Sequence, residues 1–200
     1  MSTFFAVAFI FSYADYSDAA LDVLSAVSLI TPRHVEETTL PLLFSSLPDA
    51  APSAEAYNEH AQYRRILSNL TTLCVSPPLF ETLVIRLSTK LDLICDSTTK
   101  VPSDQEVNAA YAYVILSSLC NVITKKIELC HPDIPKYLRR LVPRLYNLFI
   151  HASITGEQRD VTASAARHPR LIQAGAKVVQ QIIQSVPIER AFPLLSQRLD

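Results

Sequence analysis

Leu70-Thr71-Thr72-Leu73-Cys74-Val75-Ser76-Pro77-Pro78-Leu79-Phe80-Glu81-Thr82-Leu83 carries one apolar segment into a pair of prolines and out into another with no linker between them. Proline fixes its own φ and has no N–H, so it stops the first helix and is accepted in the first turn of the second. The same helix–corner–helix passage recurs at Leu29-Ile30-Thr31-Pro32, Leu129-Cys130-His131-Pro132 and Gln184-Ser185-Val186-Pro187. Corner prolines lie 45 residues apart from Pro32 to Pro77, and 55 apart both from Pro77 to Pro132 and from Pro132 to Pro187. Two helices per period of this length is what HEAT- or armadillo-like repeats leave in a sequence. The expected fold is all-α, a solenoid of about four helix pairs near 17–47, 54–95, 103–151 and 169–199, with loops near 48–53, 96–102 and 152–168.

Within the pairs the apolar residues recur at helical spacing. In the first, Leu21, Leu24, Val27 and Ile30 precede a corner where Thr31 caps and Pro32 takes the first helical position. In the second, Leu79, Phe80, Leu83, Ile85, Leu87, Leu91 and Ile94 cover much of the circumference, as in a helix packed between neighbours. The third opens on Ser103-Asp104-Gln105-Glu106, a capping box in form, and runs through Val107, Tyr111, Val114, Ile115, Leu119, Val122, Ile123, Ile127 and Leu129. In the fourth, Leu171, Ala174, Val178, Val179, Ile182 and Ile183 lead to a partner over Ile188 to Leu199. Pro41, Pro143 and Pro193 each stand inside a second helix, where a proline costs about 3 kcal/mol unless the helix is meant to bend, so a kink is expected as part of the repeat.

Composition agrees. Gly156 and Gly175 are the two glycines in 200 residues, which leaves little material for hairpins or phosphate-binding loops. With 49% hydrophobic residues, 18% charged and a positive mean hydropathy, the chain can bury a sizeable core. A net charge of −1 and a pI near 6.5 give no basic footprint, so direct binding of nucleic acid is not expected. The opening Phe4 to Phe11 run has the length of a signal core, but no Lys or Arg precedes it and Asp15 and Asp18 follow it, and it is too short to cross a bilayer. No membrane partner is expected. Neither end reads as a capping repeat, so the chain is expected to be a segment of a longer array.

The residues that usually carry chemistry are scattered. Cys74, Cys95, Cys120 and Cys130 form no C-x-x-C pair and lie in apolar runs, the pattern of buried free thiols in a reducing compartment rather than metal ligands. His34, His60, His131, His151 and His168 sit at corners or near helix ends, without H-E-x-x-H spacing. Glu36-Glu37 falls in the first turn after Pro32, where negative charge favours the helix start. No G-x-S-x-G, P-loop or dinucleotide fingerprint occurs, so no catalytic residue, cofactor or metal is expected. Two basic groups remain. Lys136, Arg139, Arg140 and Arg144 step by three and four along one helix, and Arg86 and Lys90 are an i,i+4 pair on another. Such groups are ordinarily a solvated helix face; the functional alternative is a ridge that receives acidic partners.

Specific strings narrow the field. Val35-Glu36-Glu37-Thr38-Thr39-Leu40-Pro41-Leu42-Leu43-Phe44 with Leu47-Pro48-Asp49, and Leu79-Phe80-Glu81-Thr82-Leu83-Val84-Ile85-Arg86-Leu87 with Lys90-Leu91-Asp92-Leu93, resemble the central region of fungal members of one family. It is the large HEAT-repeat protein of cytosolic iron–sulfur cluster targeting, first named as a nucleotide excision repair and transcription factor for its methyl methanesulfonate sensitivity. The resemblance covers mainly residues 32 to 95. It implies a non-enzymatic adaptor, active in cytoplasm and nucleus, that joins a WD40 β-propeller subunit of the assembly machinery to apo iron–sulfur proteins such as helicases, polymerases and primase. Its support of DNA repair would then be indirect. It also implies that the assembly contact lies toward the family's C-terminus and that a central segment supplies solenoid and client surface. The competing reading is a generic HEAT scaffold such as a nuclear transport receptor or phosphatase scaffold, although transport receptors are usually strongly acidic.

Overall fold

The computed structural model describes residues 14–96, 98–99, 102–129, 134–151, 163–164 and 167–185. The Phe4 to Phe11 run, parts of the last two corners, Pro193 and the helix expected over Ile188 to Leu199 lie outside these residues. The fold is all-α, with one two-residue ladder among the described residues, and the chain divides into two compact units, Met1–Lys90 and Leu91–Asp200.

In the first unit α1 (Ala14–Ile30) turns Leu24 and Ser28 inward and leaves Val23, Leu29 and Ile30 exposed. The corner follows as expected, with Pro32 at the first helical position. Thr31 does not cap it. Its hydroxyl donates backward to the Val27 carbonyl at 3.3 Å, continuing the spent helix instead of meeting an amide of the new one. The second helix is α2 (Pro32–His34), a π-helical stretch π1 (Val35–Thr39) and α3 (Leu40–Ser45). Here the bend expected from Pro41 appears as a widened turn. Pro41 donates no N–H and its ring crowds the carbonyl four residues back, and in the turn just before it the Leu40 N–H reaches the Val35 carbonyl instead. α4 (Tyr57–Leu73) packs on α1 and α3, burying Tyr63, Ile66, Leu67, Leu70 and Leu73.

α5 (Pro77–Asp96) has the apolar circumference read from its sequence: Leu79, Phe80, Leu83, Leu87 and Leu91 are buried, and Ile85 and Leu93 are exposed. The boundary between the units falls within it.

In the second unit α6 (Pro102–Glu128) is the central helix, packed on α7 (Ile134–Leu145) and α8 (Pro169–Ser185). The capping box does not form. Pro102 takes the first helical position, which puts Ser103 inside the helix, where its hydroxyl reaches only the neighbouring Asp104 carboxylate at 3.5 Å, and Glu106 lies 3.4 Å from Arg170. By length and composition Ser103–Glu128 is apolar enough to cross a membrane, but half of its most apolar window is buried inside the protein. Tyr111, Ile115, Leu119 and Ile123 belong to the core, so α6 is packed as a core helix. α7 contains Pro143 and passes directly into π2 (Tyr146–His151), the second π stretch beside an interior proline. The stretches near 96–102 and 152–168 were expected to be connections, the second with room for a short helical turn. Within these connections β1 (Thr98–Thr99) pairs antiparallel with β2 (Ala163–Ser164).

Candidate functional site

α7 is short, and its sequence, Ile134-Pro135-Lys136-Tyr137-Leu138-Arg139-Arg140-Leu141-Val142-Pro143-Arg144-Leu145, separates cleanly into two faces. Ile134, Tyr137, Leu138, Leu141, Val142 and Leu145 are buried against the unit's core. Lys136, Arg139, Arg140 and Arg144 are exposed, and α7 carries no acidic residue to offset them. At 1.5 Å per residue, cations four residues apart are about 6 Å apart along the axis. The structure thus places all four sequence-predicted cations of this group on one ridge.

Their surroundings differ. Arg144, at the C-terminal end, is paired with Asp92. Lys136 Nζ lies 5.5 Å from the centroid of the Tyr137 ring, within cation–π range. Among the described residues no hydrogen bond or ion pair engages Arg139 or Arg140. An exposed guanidinium with five N–H donors and a permanent charge suits carboxylate recognition in a fork geometry.

The Arg86–Lys90 pair of the first unit is not a second ridge. Arg86 is exposed, whereas Lys90 is engaged within the unit and only 15% of its side chain is exposed. Its ammonium lies 2.9 Å from the Asp49 carboxylate and donates to the Leu47 carbonyl at 3.4 Å, which holds the loop after α3 onto α5. Glu36 and Glu37 lie in the first turn of π1, and each also has a particular partner. Glu36 accepts a 2.6 Å hydrogen bond from the Thr82 hydroxyl, and Glu37 pairs with Arg33 at 2.9 Å on the surface.

Three of the cysteines, Cys74, Cys95 and Cys120, form no disulfide and are buried, as expected. Burial pushes the Cys120 thiol above its ordinary value, against a smaller opposite pull from Thr124. The Cys120 S–H donates to Gln181 Oε1 at 3.5 Å, linking α6 to α8. His60 is a strut: one ring nitrogen lies 2.9 Å from the Ser53 carbonyl and the other 3.0 Å from the Tyr63 hydroxyl. Since a carbonyl only accepts, Nε2 carries the proton and the Tyr63 O–H donates to Nδ1 in the neutral ring. An open cleft of about 360 Å³ beside it is lined by Ala54, Tyr57, His60, Ala61 and Arg64, and both ring nitrogens of its histidine are engaged. Among the described residues no group of three His, Cys, Asp or Glu side chains converges to hold a metal ion. The arrangement presents four exposed cations on α7, one of them, Arg144, already paired with a carboxylate.

Asp92 was the partner that sequence reasoning missed. It precedes Arg144 by 52 residues, and no local pattern ties the two.

Compared with protein families, residues 66–197 match the MMS19 C-terminal family model, described as RNAPII transcription regulator C-terminal. The match takes in the second group of resembling strings, Leu79 to Leu93, and extends far past it. Comparison with curated proteins and with solved structures gave no match.

Proposed function

This chain belongs to the MMS19 family, and from that premise we propose that it acts as a non-enzymatic adaptor in the delivery of iron–sulfur clusters to apo-proteins. Membership itself makes it a scaffold-type protein related to transcription and repair. The step from scaffold to cluster delivery rests on the family resemblance. It is supported by a fold of helix pairs, which presents surface over successive elements rather than a convergent polar site.

In this reading the chain holds client apo-proteins, among them helicases, polymerases and primase, near a WD40 subunit of the assembly machinery, in cytoplasm and nucleus. The metal cluster is cargo, carried by other components, so the adaptor needs no ligands of its own. The effect on DNA repair and transcription is indirect, through maturation of the enzymes that perform them.

The single observation that carries the proposal is the family match over residues 66–197. Its test is an affinity purification of the protein tagged at its own locus, with the co-purifying proteins identified. Recovery of the WD40 subunit and iron–sulfur enzymes is the expected result. Recovery of transport cargo or phosphatase subunits instead would overturn it in favour of a generic scaffold.

A further inference from the structure

The ridge on α7 is partly occupied by the protein itself. Of its four cations, Arg144 is paired with Asp92, while Arg139 and Arg140 have no hydrogen bond or ion pair among the described residues. Asp92 is therefore a built-in example of the ligand chemistry the ridge accepts. We propose that α7 is a docking ridge for an acidic protein segment, with Asp92 acting as an internal competitor that occupies Arg144 and sets how strongly the segment is held. The proposal rests on the scaffold reading for its context but not for its test.

The choice of an acidic segment follows from charge and spacing. Carboxylates four apart on a helix, or at alternate positions of an extended strand, recur about every 6 to 7 Å, which matches cations four residues apart along α7, about 6 Å. Guanidinium groups bind carboxylates in a directional fork, so the two arginines in the middle of the ridge supply register as well as charge. A nucleic acid or an anionic membrane would use the same charge but needs a broader field. The chain as a whole has net charge −1, which opposes long-range attraction of a polyanion. A short segment that meets the ridge and little else avoids that opposition.

The Asp92–Arg144 pair gives the proposal a sign that a generic basic patch lacks. The Asp92 side chain is 28% exposed and that of Arg144 44%, so the pair lies where an incoming carboxylate can exchange for the internal one. Removing the internal carboxylate releases one more cation and should tighten binding. Removing a ridge arginine should loosen it.

The experiment uses the full chain and a fluorescent helical peptide bearing glutamate at every fourth position, followed by anisotropy at low salt. The arms are the wild type, Asp92→Asn, the double variant Arg139→Glu with Arg140→Glu, and Arg86→Glu as a single charge-reversal control that leaves the α7 sequence unchanged. Saturable binding is expected, strengthened about threefold by Asp92→Asn, weakened about tenfold or more by the double reversal and unchanged by Arg86→Glu. Circular dichroism of each variant guards against unfolding, and Arg139→Gln with Arg140→Gln replaces the reversal if that variant does not fold. Equal binding by wild type and double variant overturns the ridge, and no change or a loss on Asp92→Asn overturns the competitor role. A single-stranded oligonucleotide or phosphatidylserine vesicles binding in place of the peptide overturns the choice of partner. Peptide binding that fails while the machinery still co-purifies removes the ridge and leaves the adaptor reading standing; the reverse result removes only the latter.

Discussion

Leu83 is fully buried on α5, so Leu83→Asp puts a carboxylate out of reach of water. An uncompensated buried charge of this kind costs about 3–5 kcal/mol, a large part of the stability of a small domain. The expected outcome is a melting temperature lowered well beyond error, or no folded protein, measured by thermal circular dichroism. Arg140→Ala is the counterpart on an exposed site and should leave the melting temperature within about two degrees of the wild type. Equal melting of Leu83→Asp and wild type would contradict the packing of α5. Cys120 makes a pH-dependent prediction. Its thiol is raised by burial, so the folded protein holds the proton more tightly than the unfolded chain does. The resulting stability is fully present below the ordinary thiol value and is lost as pH rises through the higher, folded one. Urea midpoints should therefore fall as pH rises above the ordinary thiol value, and less steeply in Cys120→Ala, whose remaining slope belongs to other groups. A slope identical in the two proteins would place Cys120 outside the effect.

The elements show where a sequence reading holds and where it stops. α1, α4, α5, α6 and α8 were legible because apolar residues recur at helical spacing over several turns and prolines mark the corners. Their caps were not, because capping depends on which way a hydroxyl turns. Ser103 fits the capping-box pattern, yet Pro102 begins the helix one residue earlier. Thr31 occupies the cap position and bonds to the helix behind it. An N-cap serine or threonine contributes about 1 kcal/mol when its oxygen meets an amide. Thr31→Ala and Ser103→Ala are therefore expected to cost less than about 0.5 kcal/mol each, measured by urea denaturation; a loss near the usual value would restore the capping roles. The π stretches beside Pro41 and Pro143 were half legible, since the sequence announces an irregular helix but not whether the irregularity is a kink or a wider turn. The ridge on α7 was legible because four cations at steps of three and four share a face by helical geometry alone. Its partner Asp92 was not, nor was the attachment of Lys90 to Asp49 across 41 residues, because both depend on how distant elements meet.

Across the full chain, the repeat period suggested one continuous array, and contacts cluster into two compact units whose boundary lies between Lys90 and Leu91. In a continuous solenoid each repeat leans on the next, and a local defect weakens its neighbours in turn. In two separately cohesive units a defect stays where it is made, because cooperative opening follows the contacts. Leu67, buried on α4, lies in the first unit, and Leu67→Ala leaves a cavity costing about 2–5 kcal/mol. Native-state hydrogen exchange then reads the division. The expected outcome is that amides of α1 and α4 lose protection in Leu67→Ala while those of α8 keep theirs, and that Leu119→Ala on α6 gives the converse. Uniform loss across all helices in both variants would mean that α5, which runs through the boundary, couples the units into one folding block. That result would favour the single array expected from the corner prolines.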